Sequence, residues 1–466
     1  MWGVPKGLRL PMIGSGQRRC PEVCGWTHHG LGLPSASHMR FQMLPREAWP
    51  DFLDLPWDEP LEEWTSPRIV EVARGISRHV VRFVDYDSAL YALKELPTPL
   101  AEREYRLLRE LAAASVPVVE VVGVVSERGA GAHGASPPDR IRSPDELSAV
   151  LITRHLEFSL PYRMLFTGRG VSDLHNRLLD ALVELLVRLH LAGFFWGDCS
   201  LSNALFRRDA GSLAAYLVDA ETGELHPSLS DGQRAYDLAI AEEHVAGELL
   251  DVIAALEEEG DLGAAGLDDP LAVAAELRPR YERLWSELTR DEVVAPDERY
   301  QIDARLRRLN ELGFDVEEIE LLTVEGGYRL RLPTRVVEAG HHRRRLLTLT
   351  GLDVGENQAR RLLNDIARFR AELTQAEGRT PPEAVVGYRW RAEVFEPAVA
   401  AIPSGLHAKR EPAELFHELL DHRWYRSEAA GHDVGMADAV ASFIEQVLPQ
   451  VPDERATIAP GSETQP

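Results

Sequence analysis

Alternating apolar and polar positions mark the first stretch with a clear period. Order is expected from about residue 55, and 68–73 (Arg-Ile-Val-Glu-Val-Ala) alternates as a half-buried strand does. Residues 79–84 and 89–96 repeat the pattern, joined by a turn at 85–87, with a further turn expected at 74–78. Three short strands with tight turns predict an antiparallel meander. The period then lengthens: Tyr105, Leu107, Leu108 and Leu111 recur at helical spacing within a helix expected over 100–114. Two more strands are expected at 118–125 and 149–153. They are parted by an exposed insertion rich in Gly, Ala, Pro and Asp at 127–146.

A long amphipathic helix follows over 171–191, with Leu178, Leu182, Leu185, Leu186 and Leu189 on one face. After a polar loop, 204–206 and 214–218 read as a short hairpin, and 236–256 as another helix. The order is three strands, helix, two strands, helix, loop, hairpin, helix, which is that of a two-lobed protein-kinase-like fold. From about residue 291 the pattern becomes mainly helical. Helices are expected at 357–376 (with Gly378 as its stop), 413–422 and 435–447, with one strand-like stretch at 328–332. The fold class expected is α+β: a kinase-like domain followed by a mainly helical C-terminal domain. The division expected is 46–285 for the kinase-like domain, with its N-lobe at about 65–154 and its C-lobe at about 155–285. The helical domain is expected at 291–448 and a disordered tail at 449–466. Residues 1–45 lack an apolar period and are expected to be a disordered or mis-assigned extension, with Met39 and Met43 as alternative starts.

Composition narrows the function classes. Hydrophobic residues make up 44% and charged residues 27% of the 466, an ordinary globular composition. A net charge of −24 argues against broad nucleic-acid binding, which needs a basic footprint. No apolar run reaches the about 18 residues of a membrane span, and there is no signal-peptide core. Three cysteines, Cys20, Cys24 and Cys199, form no disulfide framework and suit a reducing cytoplasm. Cys20, Cys24, His28 and His29 are spaced too loosely for a zinc site.

The chemistry centres on Trp196-Gly197-Asp198-Cys199-Ser200-Leu201-Ser202-Asn203, and on Asp219 at the end of the following strand. Asp198 can orient or deprotonate a hydroxyl. Asn203 and Asp219 are hard oxygen donors suited to Mg²⁺, and Glu221 stands close enough in sequence to assist. Lys94 closes the third strand, where a kinase lysine meets nucleotide phosphates and pairs with a helix carboxylate. Glu104 is the first choice of partner and Glu102 the second. Gly75 marks the turn that would cover phosphates, with the amides of Ile76, Ser77 and Arg78 as donors and Arg74 and Arg78 adding charge. Asp237 opens the next helix, either holding the catalytic-loop backbone or serving as a plain helix N-terminal acid. Cys199 is expected to be a packed thiol, because no His partner stands near it in sequence. The basic cluster 341–345 is expected to be a solvated face, with anion binding as the alternative.

Trp196-Gly197-Asp198 through Asn203, followed by Val218-Asp219-Ala220-Glu221, resembles the catalytic and metal loops of lipopolysaccharide-kinase-like and aminoglycoside-phosphotransferase-like proteins. Those carry His-Gly-Asp where eukaryotic-type protein kinases carry His-Arg-Asp. Two later stretches, Leu346-Leu347-Thr348-Leu349-Thr350-Gly351-Leu352 and Glu356-Asn357-Gln358-Ala359-Arg360-Arg361-Leu362-Leu363-Asn364-Asp365, extend the resemblance. It is to a bacterial family in which such a kinase-like domain precedes a domain of unknown function. The resemblance implies ATP and Mg²⁺ as cofactors and phosphoryl transfer to a hydroxyl acceptor, a sugar or another small molecule. The alternative it leaves is a pseudokinase: a nucleotide-binding or scaffold module with a protein partner on the C-terminal domain. Departures are Trp196 for the usual His, Asp219-Ala220-Glu221 for Asp-Phe-Gly, a glycine-rich loop reduced to Gly75, and no Ala-Pro-Glu. Gly197 rather than Arg before Asp198, and the missing activation-loop signature, argue against control by activation-loop phosphorylation.

Overall fold

A computed structural model of the chain describes residues 39–44, 49–72, 79–87, 89–128, 148–167, 174–259, 269–289, 292–294, 314–316, 320–324, 327–332 and 337–455. Gly75, Ser77 and the rest of the expected phosphate loop lie outside them.

The first lobe is a six-stranded sheet made of β1 (Arg40–Met43), β2 (Ile69–Val70), β3 (Val81–Tyr86), β4 (Ala89–Leu96), β5 (Glu120–Ser126) and β6 (Ala149–Arg154). Its strand order is β1-β5-β6-β4-β3-β2, with every neighbouring pair antiparallel. Helix α1 (Thr98–Ala113) enters with a proline in its first turn. It buries Ala101, Tyr105, Leu108 and Leu111. β1 corrects the expectation that everything before residue 46 is an extension: Arg40–Met43 pairs along β5 from Ser126 to Gly123. Gly123 allows the approach, since a Cβ there would lie 2.4 Å from the Met43 sulfur. Among the described residues of the strand expected at 68–73, Ile69–Val70 are strand, and β3 runs on to Tyr86, past the turn expected from Asp85.

The second lobe contains β7 (Ser159–Leu160), α2 (Tyr162–Thr167), α3 (Leu174–Leu191), β8 (Phe194–Phe195), β9 (Ala204–Asp209), β10 (Ser212–Leu217), β11 (Glu224–Leu225), α4 (Asp231–Glu259), α5 (Pro270–Ala275) and α6 (Leu277–Thr289). The leucine face of α3 is buried, with Leu182, Leu186 and Leu189 fully covered. β9 and β10 form a hairpin, and β7 pairs with β9 on its other edge.

The C-terminal region holds more strand than the single stretch expected. β12 (Glu292–Val294), β14 (Glu320–Val324) and β15 (Gly327–Leu332) form one antiparallel sheet, and β13 (Phe314–Val316) pairs with β16 (Val337–Ala339). These runs are only three to six residues long, too short for a period of two to stand out. Helices α7 (His341–Thr350), α8 (Glu356–Glu377), α9 (Glu383–Trp390), α10 (Glu396–Ala400), α11 (Pro412–Ala430) and α12 (Met436–Gln446) follow. They close over a core that includes Leu362, Trp390, Phe395, Phe416 and Phe443. α8 stops at Gly378 in the left-handed conformation, φ +69°, which costs glycine no Cβ clash. The expected disorder from residue 449 fails for the first part of that tail. Glu454 is buried and ion-paired with Arg208 at 2.6 Å and Arg410 at 3.0 Å, which anchors it. The basic cluster 341–345 is the first half of α7, where Arg343 pairs with Asp353 and Arg345 with Glu383.

Candidate functional site

One face of α4 holds the loop that carries Asp198. Near the start of α4, Asp237 is wholly buried. Its carboxylate accepts from the Trp196 amide at 2.7 Å and the Gly197 amide at 2.9 Å. Gly197 has φ +74°, a conformation that favours glycine and lets successive amides turn toward one acceptor. His190 Nε2 lies 3.1 Å from Asp237, and its Nδ1 lies 2.7 Å from the Tyr281 hydroxyl. Burial draws the His190 pKa down despite Asp237. Glu248, further along α4, accepts from the amides of Leu201 at 2.7 Å and Ser202 at 2.9 Å. Between them His244 brings Nδ1 to 3.4 Å from an Asp198 oxygen.

Within the loop, the Asn203 side-chain amide donates to the Asp198 carbonyl at 2.9 Å and to its carboxylate at 3.2 Å. Asn203 thereby closes the loop on itself and leaves its amide oxygen as the remaining donor for a cation. Cys199 is fully buried, and burial pushes its thiol well above the usual range, so it is a packing residue. Trp196 is also fully buried. Its indole N–H reaches the Asp219 carbonyl at 3.3 Å, and its own carbonyl accepts from Thr222 at 3.1 Å. Trp196 therefore ties the loop bearing Asp198 to the segment after β10 from the core side, and it is not among the residues that line the cleft.

Lys94 arrives from β4, opposite Val81 on one side and Leu151 on the other. Its ammonium is 2.7 Å from Asp219, 3.1 Å from Glu104 and 3.4 Å from Glu221. Glu104 lies on the apolar face of α1 and is fully buried, while Glu102 faces solvent. A buried carboxylate needs a charged partner and donors, and Lys94 with the Ala220 amide at 3.4 Å supplies them. Glu221 also meets His79 at 3.0 Å, at the entry to β3.

The electrostatics of this cluster suit a divalent cation. Glu104, Asp219 and Glu221 each place a carboxylate oxygen within 4.8 Å of the others. The three carboxyl groups share Lys94, and His79 lies beside Glu221. Burial pushes Glu104 up to about 8, the Asp219 charge adds to the rise, and Lys94 opposes it. Burial draws Lys94 down, but Glu104 and Asp219 more than offset it and the net shift is upward. The carboxylates of Asp219 and Glu221 are hard oxygen donors of the kind that fit Mg²⁺.

Lys94, Asp198, Asn203, Asp219, Glu221, His244 and Glu248 open on one cleft of about 670 Å³ between the lobes. Val81, Phe83 and Ala92 line its N-lobe wall, the linker at His155 and Leu156 its back, and Asp198, Ser202, His244 and Asp251 its far end. Burial draws the His155 imidazole down to about 4, so it is neutral beside the apolar wall. The structure thus brings together Lys94, Asp198, Asn203, Asp219 and Glu221 along the cleft, with Glu104 behind Lys94. Glu248 and His244 were not anticipated from the sequence. The signal available was their spacing from Asp237, which repeats on one helical face.

Residues 283–448 are similar to a family described as a Domain of unknown function (DUF4032). No curated protein matches the sequence. A solved structure of WaaP in complex with acyl carrier protein is 17% identical, covering 52% of this chain and 88% of its own, at a TM-score of 0.31. A crystal structure of an aminoglycoside-3'-phosphotransferase of type VIII is 16% identical, covering 50% of this chain and 91% of its own, at a TM-score of 0.30. At these scores neither adds to what the strand order and the cleft define. Among the described residues, no helix is long and apolar enough to cross a membrane.

Proposed function

We propose that the protein is an ATP-dependent phosphotransferase acting on a hydroxyl acceptor, a sugar or another small molecule. One observation carries this reading: Lys94 lies between Glu104 and Asp219, in the cleft that also holds Asp198 and Asn203. In this arrangement Lys94, held by Glu104, positions nucleotide phosphates. Asn203 and Asp219, with Glu221 beside them, hold Mg²⁺, which neutralises charge on the phosphates when bound. Asp198 accepts the proton of the acceptor hydroxyl as the γ-phosphoryl group passes to its oxygen and ADP leaves. Such catalysis is positioning and charge neutralisation, so few residues suffice.

The pseudokinase alternative rests on Trp196 and on the glycine loop reduced to Gly75. Trp196 lies in the core, bracing the Asp219 backbone, which weakens the first motive; Gly75 lies outside the described residues. Thermal melting with Mg-ATP tests nucleotide binding. The melting temperature should rise in the wild-type chain and the rise should vanish in Asp219→Ala. No rise in the wild type would defeat every reading that needs a nucleotide.

A further inference from the structure

We propose that the C-terminal domain positions the metal ligands Asn203 and Asp219 by gripping the far tip of the β9–β10 hairpin. The inference rests on the metal–nucleotide reading above, and it assigns the C-terminal domain an intramolecular task.

Both arms of the hairpin end at the site. Asn203 directly precedes β9, Asp219 lies just past β10, and the Val218 amide donates to the Asn203 carbonyl at 3.0 Å. The register runs without a break from Ala204 opposite Leu217 to Asp209 opposite Ser212. At about 3.3 Å per residue, the tip stands roughly 20 Å from the metal ligands.

The tip is also where the C-terminal domain takes hold. Asp209 is 3% exposed and caps α8, accepting from the amides of Gln358 at 2.7 Å and Asn357 at 3.0 Å. The Asn357 side chain adds a third donor at 3.2 Å. Gln358 then donates to the Arg208 carbonyl at 3.2 Å and to Glu414 at 2.9 Å, and Glu414 accepts from the Ala210 amide at 2.8 Å. Gly355 permits this approach, because a Cβ there would lie 2.4 Å from an Asp209 oxygen.

Buried carboxylates are tolerated only while their donors stay in place, so a network of this kind admits one register and resists sliding. A paired ribbon transmits the position of its tip to its base. Loosening the grip therefore removes one of the supports of Asn203 and Asp219, beside those from α4 and Trp196, while Lys94 keeps its own hold through β4 and Glu104.

The test compares ATP affinity with Mg²⁺ and with the metal chelated, for the full chain, Asp209→Ala and Gln358→Ala. It is run at a temperature where circular dichroism shows each variant folded. The expected result is that the gain in affinity from Mg²⁺ shrinks about tenfold in the variants, the scale of losing support behind metal ligands. Metal-free ATP affinity should stay as in the wild type. Gln358→Ala leaves Asp209 both backbone amides, and it gives the reading should Asp209→Ala fail to fold. A full Mg²⁺ gain in the folded variants, whatever their melting temperatures, overturns the proposal, because a merely structural interface moves stability alone. A wild-type chain whose ATP binding ignores Mg²⁺ overturns the metal reading and this inference with it.

Discussion

The Glu248 carboxylate lies 2.7 Å from the Leu201 amide nitrogen, with its second oxygen 2.9 Å from that of Ser202. Asp237 holds Trp196 and Gly197 in the same manner about three turns earlier on α4. The loop bearing Asp198 and Asn203 is thus pinned at both ends by one helix. Glu248→Gln keeps the shape but removes one acceptor oxygen. Steady-state kinetics should show turnover down about a hundredfold with the KM for ATP little changed, the signature of a misplaced base. Unchanged turnover would mean that the loop holds itself.

Asp237 is the more structural of the two pins. Asp237→Ala leaves the buried Trp196 amide, the half-buried Gly197 amide and buried His190 without their partner. Chemical denaturation should show a loss of about 3 kcal/mol or more. A loss below about 1 kcal/mol would show that water replaces the carboxylate.

Trp196 gives a test with the opposite emphasis. Trp196→His restores the residue usual in the resembled proteins but leaves a void in a fully packed site. Stability should fall by about 2–4 kcal/mol with no gain in turnover. A rise in turnover would place Trp196 in the chemistry after all.

The kinase-like order of elements was legible because long amphipathic segments announce themselves. α3 and α4 appear at nearly the expected positions, and β4 matches the expected bounds. Glu104, the first choice of partner over Glu102, is the one that meets Lys94, and its helical spacing from Leu108 and Leu111 already put it on the apolar face of α1. The packing of α1 buries Glu104 and leaves Glu102 in solvent. The tie between Asp209 and α8 had no local signal, since it joins residues nearly 150 positions apart. β1 was hidden for a similar reason: its pairing depends on Gly123, far along the chain.

Asp209 also carries a pH dependence. Burial raises its pKa from 3.8 to about 6, with the Asn357 and Gln358 amides opposing the rise. A carboxyl with a raised folded pKa holds its proton longer in the folded chain than in the unfolded one. Its contribution is therefore fully present below about pH 4 and fades as pH rises to about 6, a loss of about 3 kcal/mol. Stability measured across that window should fall for the wild type relative to Asp209→Asn, which cannot titrate. Parallel curves would show that the amides hold the carboxylate ionised throughout.

The central claim is phosphoryl transfer assisted by Asp198. The most direct measurement is ADP release from Mg-ATP by the full chain, in the presence of a library of sugars and other small hydroxyl compounds, beside Asp198→Asn. The prediction is acceptor-dependent turnover in the wild type that falls by about a thousandfold in Asp198→Asn, while Mg-ATP binding persists in both. Equal turnover in the two proteins, or none in the wild type with any acceptor, would contradict it.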